Sequence, residues 1–225
     1  MTQVSSGGAV HVRKPFVLVS LLLAAFVINL DTTIVNVALP TLVRQLDASN
    51  AQLQWVVDAF NLLFAGSVLA FGSLSDRFGR KGMLLAGLAV FGLASLAGGV
   101  TGSPGQLIAA RAVMGVGAAM VFPATLSLLT HVFTERRERA LAIGLWGAST
   151  GAAIALGPIV GGWLLEAFDW RSIFYAMAPI SVLAGIFVAG YVPTSRDPRA
   201  PRLDRAGFVL STAMIALLVY TIIEA

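Results

Sequence analysis

Long apolar segments separated by short polar stretches make up most of this chain. Six of them are long enough to cross a bilayer as helices, because about 20 apolar residues span its hydrocarbon core. These six spans, numbered in chain order, cover residues 16–39, 51–74, 82–101, 106–130, 140–165 and 172–192. A seventh apolar segment begins near residue 207 and runs to Ala225. The segments lack the short alternation of a membrane β-barrel. The pattern therefore predicts an all-α membrane protein with six transmembrane helices and a partial seventh.

The composition agrees with lipid as the main solvent. Charged residues are 12% and hydrophobic residues 57% of the chain, whereas about 25% of the residues of a soluble domain are charged. There is no cysteine, and the two histidines, His11 and His131, are far apart. Since no catalytic triad, metal-ligand spacing or phosphate-binding loop is visible, we expect no enzyme, no metal site, no cofactor and no ATP-driven pump.

The basic residues cluster at the same ends of the predicted spans. Twelve of the fifteen lysines and arginines precede span 1 or follow spans 2, 4 and 6: Arg13, Lys14, Arg77, Arg80, Lys81, Arg136, Arg137, Arg139, Arg196, Arg199, Arg202 and Arg205. This bias places those loops and the N-terminus in the cytoplasm. The net charge of +4 is therefore attributed to topology and lipid contact, not to a nucleic-acid partner.

The same patterning divides the chain into four parts. Residues 1–15 are polar and predicted to be a disordered cytoplasmic segment. Residues 16–192 hold the six spans, residues 193–206 are a Pro- and Arg-rich cytoplasmic linker, and residues 207–225 form a truncated seventh helix.

The loop between spans 2 and 3 carries the most specific motif. Basic residues alone would satisfy a topology signal, but an aspartate and glycines at fixed spacing do not follow from that requirement. Gly79 permits a tight reversal, and Gly72 and Gly82 are expected to allow close helix contact. The stretch reads Gly72-Ser-Leu-Ser-Asp76-Arg77-Phe-Gly79-Arg80-Lys81. It resembles the signature loop of the major facilitator superfamily, and the resemblance implies a transporter. It also implies a conformational latch to the other half of the protein, formed by Gly72, Asp76, Arg77, Gly79, Arg80 and Lys81.

Span 1 contains a carboxylate in an apolar setting, which is costly and usually functional. Leu30-Asp31-Thr-Thr-Ile-Val-Asn-Val-Ala-Leu-Pro40 resembles the helix 1 signature of the 14-helix drug:proton antiporters within the superfamily. A hydrogen bond between helices is the alternative role for Asp31.

Span 4 contains Arg111, followed by Met114 and a glycine pair. The run resembles the helix 4 motif of the family, in which glutamine usually stands at the position of Met114. Counted at 1.5 Å per residue, Asp31, Asp58 and Arg111 lie roughly 13, 10 and 8 Å from the outer ends of their spans. We therefore expect Asp31 and Arg111 to form a switchable pair with Asp31 as proton carrier. Asp58 is a second proton or cation site, or faces an outer vestibule.

Span 5 ends in Gly157-Pro158-x-x-Gly161-Gly162, after Gly144 and further glycines. Plain packing explains glycines in general but not this spacing. The run resembles the antiporter motif of superfamily exporters, with Ala153 in place of one glycine. It implies export as the direction of transport.

The resemblance covers the chain from residue 16 onward and only the N-terminal half of a family member. It implies proton-coupled export of small amphipathic compounds by alternating access, from a bacterial plasma membrane. Three hypotheses remain: a fragment whose missing C-terminal half completes it, a half-transporter that pairs with a second copy, and a non-transporting membrane protein that binds a ligand. The end of the chain inside an apolar run favours the first.

Overall fold

The computed structural model describes residues 13–196 and, beyond them, Ala213, Met214, Leu217 and Thr221. Residues 13–196 form six helices and no strand, which confirms the predicted fold class. All six are long and apolar enough to cross a membrane. Residues 1–12, most of the predicted linker and nearly all of the predicted seventh helix lie outside the described residues. The helices are α1 (Lys14–Leu46), α2 (Asn50–Phe78), α3 (Arg80–Gly99), α4 (Pro104–Val132), α5 (Arg136–Ala167) and α6 (Arg171–Tyr191).

Most of the helices extend beyond the predicted apolar spans. The first helix begins at Lys14, two residues before the predicted boundary, with Pro15 in its first turn, where its missing N–H costs nothing. It then continues past Pro40 to Leu46 and ends at Asp47 in a left-handed conformation. Hydropathy marks only the lipid-buried part of a helix, so the polar ends escaped prediction.

Side-chain caps fix two of the short connections. Before α2, Ser49 and Gln52 form a reciprocal capping box: Gln52 N donates to Ser49 Oγ and Ser49 N donates to Gln52 Oε1. Before α5, the carboxylate of Glu135 accepts from the backbone of Glu138 and Arg137, and these bonds lower the pKa of Glu135. Both caps satisfy N–H groups that a helix start otherwise leaves unpaired.

The first and fourth helices lie at the centre of the bundle. Helix α2 packs on α4, and α5 packs on α1. On the other side, α3 packs on α4 and α6, while α6 also contacts α1. The core is mostly apolar, with Leu21, Phe91, Met114 and Phe174 among its fully buried side chains. Helices α2 and α5 are the least buried spans, and they expose large side chains such as Leu69 and Ile159.

Glycines on α4 bring two neighbouring helices into close contact. A Cβ added at Gly117 would lie 2.7 Å from the backbone nitrogen of Phe91 on α3. A Cβ at Gly115 would overlap the backbone carbonyl of Phe60 on α2. Small residues at helix crossings let backbones approach in this way, so these positions hold α2 and α3 against α4.

Candidate functional site

A buried ion pair joins the two central helices. Arg111 Nη1 on α4 lies 2.5 Å from Asp31 Oδ2 on α1, and both side chains are at most 1% exposed. Charges removed from water in this way are stable only when they are paired and hydrogen-bonded. The structure therefore brings together the aspartate and the arginine that the sequence analysis expected to pair.

The second helix supplies two further contacts to the guanidinium. Arg111 Nε donates to the carbonyl oxygen of Val56 over 3.0 Å. The guanidinium carbon lies 4.4 Å from the ring centroid of Phe60, a distance at which a cation is attracted to an aromatic face. Arg111 also lies 4.0 Å from the sulfur of Met114, so the residue that departs from the family motif keeps a contact with the arginine. Three helices thus hold one cation.

The roles of Val56 and Phe60 were not predicted. A backbone carbonyl leaves no trace in side-chain patterns, and Phe60 is one of several aromatic residues in the apolar spans. The available signal is depth: Phe60 lies in span 2 at a level similar to that of Arg111 in span 4. That signal does not specify which face of the helix carries the ring.

One oxygen of the buried carboxylate is unpartnered. Within the described residues, Asp31 Oδ1 has no hydrogen-bond donor. Buried polar atoms are nearly always bonded, and exceptions occur at strained or functional sites. Oδ1 can therefore accept a proton, while Oδ2 accepts a hydrogen bond from Arg111.

Asp58 does not join the pair. It is partly buried on α2, and its carboxylate makes no hydrogen bond or ion pair within the described part of the chain. It follows Val56 by two residues, which places its side chain on a different side of α2. The three ionisable groups predicted at a similar depth therefore separate into a buried pair and one independent carboxylate.

The loop between α2 and α3 is built around Gly79. This glycine has φ +123°, a conformation that other residues rarely adopt. Arg80 Nε lies 2.7 Å from Asp76 Oδ1, and Arg77 lies beside the ring of Phe78. The motif residues Asp76 and Arg80 thus form a local pair, four residues apart.

The same loop is tied to the chain that follows α6, which the sequence did not predict. Arg80 N donates to the carbonyl of Ser195, and Arg80 Nη1 donates to its hydroxyl. Lys81 Nζ donates to the carbonyl of Ala189 over 2.8 Å. The expectation of close helix contact is wrong for Gly82 within the described part of the chain, where a Cβ would meet no atom within 4 Å. At Gly72 a Cβ would make only an ordinary contact with Pro123.

The motif of α5 divides into two sides. Gly157 and Gly161 pack directly on α1, where a Cβ would overlap Thr33 and Ile34. Thr33 Oγ1 also lies 3.2 Å from the carbonyl oxygen of Ile154. The other side of the motif is open: Pro158 is exposed, and a Cβ at Gly144 or Gly162 would meet nothing within 4 Å. One side thus contacts α1 within three residues of Asp31.

Six membrane-length helices around a buried charge pair define a multi-pass membrane protein. Residues 21–223 match the family model of the Major Facilitator Superfamily. The chain belongs to the Major Facilitator Superfamily, which confirms the predicted family.

Relatives in this family bear the names of resistance and efflux proteins. The chain is 41% identical over 213 residues to the puromycin resistance protein pur8 of Streptomyces alboniger, covering 95% of this chain and 42% of that protein. It is 39% identical over 209 residues to the methyl viologen resistance protein SmvA of Salmonella typhimurium, covering 93% and 42%. It is 38% identical over 202 residues to the multidrug efflux pump LfrA of Mycolicibacterium smegmatis, covering 90% and 40%. The chain therefore spans less than half the length of these relatives.

A solved structure shows the same fold. The crystal structure of a mutant of the peptide transporter POT in complex with sulfate aligns with a TM-score of 0.71 at 15% identity. The alignment covers 92% of this chain and 45% of that one. The helices described above therefore have the arrangement found in part of a longer transporter.

Proposed function

We propose that this chain is the N-terminal half of a proton-coupled exporter of small amphipathic compounds. The observation that carries the proposal is the buried pair of Asp31 and Arg111 between the central helices. A charge pair inside an apolar span marks an ion or proton pathway more often than a packing device.

The pair provides a means of coupling movement to proton transfer. In the paired state the guanidinium stabilises the charged form of Asp31. A shift of α1 relative to α4 that separates the two groups leaves a desolvated carboxylate, which then binds a proton. Arg111 of α4 is bound to α2 through Val56 and Phe60. When its guanidinium returns to Asp31, it favours release of that proton.

Alternating access requires a second half, because substrate lies between two halves that move against each other. The named relatives are more than twice as long as the matched region, and α2 and α5 expose large apolar side chains. We therefore propose that these two helices face a second six-helix unit, either a C-terminal half or a second copy of this chain.

Orientation and location belong to the same proposal. Among the described residues, Lys14, Lys81 and Arg136 lie at the same end of the bundle, at the starts of α1, α3 and α5. This bias supports a cytoplasmic N-terminus in a bacterial plasma membrane. Export as the direction is supported by the glycine motif of α5 and by the efflux and resistance names of the relatives.

Transport in everted membrane vesicles tests the proposal. The chain is expressed alone or together with the C-terminal half of a relative such as pur8, and the vesicles are energised by respiration. We expect a cationic dye to accumulate in the vesicles and to dissipate part of the pH gradient. Asp31→Asn should abolish both signals.

The matched control is Asp47→Asn. Asp47 has the left-handed conformation that ends α1, and asparagine readily adopts it, so dye uptake should persist. Proton-coupled uptake that survives Asp31→Asn would contradict the proposed proton carrier. If expression is normal but every combination of halves fails to transport while the chain alone binds the dye, the non-transporting alternative is correct.

A further inference from the structure

Two neighbouring cavities lie along α3 and α6, away from the charge pair. The first, the basic cavity, has a volume of about 430 Å³ and lies where α3 begins and α6 ends; its lining includes Lys81, Gly82, Thr194, Ser195 and Arg196. The second, the α3/α6 groove, has a volume of about 300 Å³ and is lined almost entirely by apolar residues. We propose that together they bind one anionic phospholipid, with its phosphate in the basic cavity and an acyl chain in the groove.

The basic cavity offers several donors and two positive charges. Lys81 uses one N–H for the carbonyl of Ala189, which leaves two of its three donors for a ligand. Ser195 Oγ accepts from Arg80 Nη1, and its own hydrogen has no acceptor among the described residues. Arg196 and the hydroxyl of Thr194 complete this set. Two cations and two hydroxyl groups suit a phosphate group.

The start of α3 adds to the positive potential. No described side chain caps this helix, whose N-cap residue is Gly79. The N–H of Arg80 donates to the carbonyl of Ser195, and the next N–H groups of the first turn carry a partial positive charge that favours an anion. Among the described residues of the α2–α3 loop and of the segment after α6, the one carboxylate is Asp76, and it is paired with Arg80.

The groove explains why the ligand is a lipid and not a free anion. It begins at Leu85, three residues or roughly 4.5 Å along α3 from Gly82, and it extends to Leu96, roughly 16 Å further. Its lining includes the small residues Ala89, Gly92 and Gly185. Its one polar lining side chain, Ser181, already donates to the carbonyl of Met177. Such a channel accepts an alkyl chain.

The surroundings of the groove are those of a lipid-facing surface. Leu93, Val182 and Ile186 are 67%, 61% and 63% exposed, so this side of α3 and α6 is covered by no other described helix. Basic sites between helices near the membrane surface recognise anionic headgroups in this manner. The proposed site is thus separate from the charge pair between α1 and α4.

Native mass spectrometry of the purified 225-residue chain tests the proposal. The protein in detergent is titrated with dioleoyl phosphatidylglycerol or with dioleoyl phosphatidylcholine, which share acyl chains but differ in net charge. We expect one phosphatidylglycerol per chain, bound about tenfold more tightly than phosphatidylcholine. Inorganic phosphate at millimolar concentration should not displace it.

Matched variants separate the two parts of the site. Arg196→Gln and, as a second variant, Lys81→Gln should each weaken phosphatidylglycerol about fivefold, whereas Arg137→Gln, outside the cavity, should not. Gly185→Leu fills the groove, where a Cβ has free space, and should weaken both lipids several-fold. Gly190→Leu, on the same helix but outside the groove, should leave binding unchanged.

Any one of four results would overturn the proposal. Equal binding of the two lipids, or equal effects of Arg196→Gln and Arg137→Gln, would mean that only unspecific lipid is bound. Equal effects of Gly185→Leu and Gly190→Leu would mean that the groove holds no acyl chain. Displacement of the lipid by inorganic phosphate would mean that the cavity is a site for free anions. Circular dichroism of each variant checks that it is folded.

Discussion

At the residue scale, the charge pair combines two groups that are each unfavourable in the apolar interior. Asp31 and Arg111 are almost fully buried, so each depends on the other for compensation. An exposed pair in the same chain, Asp169 and Arg171, has a similar separation of 2.6 Å, but its side chains are 42% and 37% exposed. Water and ions screen the second pair but not the first.

A double-mutant cycle should expose this difference. Asp31→Asn or Arg111→Gln alone leaves an unpaired buried charge, and we expect each to lower the free energy of unfolding by about 3 kcal/mol. The double variant removes both charges and should lose much less than the sum. Thermal unfolding of the purified chain, followed by intrinsic tryptophan fluorescence, measures these values.

The exposed pair provides the control for that cycle. For Asp169→Asn and Arg171→Gln we expect a coupling energy below about 1 kcal/mol, as for other surface pairs. Additive effects at Asp31 and Arg111 would mean that the two side chains do not depend on each other in the folded protein.

At the element scale, the ends and crossings of the helices are set by individual contacts. The start of α5 depends on Glu135, whose carboxylate is bonded to two backbone N–H groups. Because those bonds favour the charged form, the pKa of Glu135 is lowered from its ordinary value of 4.5. The capping contribution is therefore complete above that value and is lost as pH falls through the lowered pKa.

The cap gives a prediction with a defined pH dependence. Glu135→Gln should be less stable than the unmodified chain at pH 7, and the difference should shrink as the pH falls below about 4.5. Unfolding curves at pH 7, 5 and 3.5 measure this trend. Glu135→Ser keeps a capping oxygen that is uncharged over this pH range. The contribution of the cap to the stability of this variant should therefore stay constant from pH 7 to 3.5. A constant difference between Glu135→Gln and the unmodified chain would contradict the assignment.

Two glycines test the crossing of α3 and α4. Gly117→Ala places a Cβ 2.7 Å from the backbone of Phe91, and backbone cannot move aside cheaply, so a loss of about 1–3 kcal/mol is expected. Gly147→Ala makes the same change in α5, where a Cβ would meet nothing within 4 Å, and should cause no loss. The melting temperatures of both variants in detergent measure this difference. Equal temperatures would contradict a close contact between α3 and α4 at Gly117.

At the scale of the whole molecule, the six helices have one side that is covered by neighbours and another that is not. Helices α2 and α5 carry Leu69, Ile159 and Trp163 with exposed fractions of 80%, 68% and 61%. Helices α3 and α6 also expose apolar residues, but these border the proposed lipid site. A second half is therefore expected to cover the surface of α2 and α5 and to leave the surface of α3 and α6 exposed.

Site-specific labels distinguish the two surfaces. The sequence contains no cysteine, so Leu69→Cys, Ile159→Cys and the control Ile186→Cys on α6 each accept one spin label. When a second half is present, the labels at Leu69 and Ile159 should lose contact with dissolved oxygen, measured by electron paramagnetic resonance. The label at Ile186 should not change. Loss of contact at Ile186 alone would place the partner on the wrong side for transport.

Several properties of this protein follow from residue types alone. The free energy of moving a side chain into lipid is a property of that side chain, so the six described spans and their basic ends were predictable. The same reasoning identified Asp31 and Arg111, because a charged residue within an apolar segment is visible in the sequence whatever the orientation of the helix. The loop motif around Gly79 was also visible, since its turn requires particular residues at fixed spacing.

Other properties depend on how the helices rotate and cross, which no single segment determines. Hydropathy could not show that Val56 and Phe60 hold Arg111, or that Asp58 lies apart from it. It treated Gly117 and Gly147 alike, although one lies against a backbone and the other has open space around it. The bond from Arg80 to Ser195 joins positions 115 residues apart. Such contacts are decided by tertiary packing, because each helix takes its orientation from all of its neighbours together.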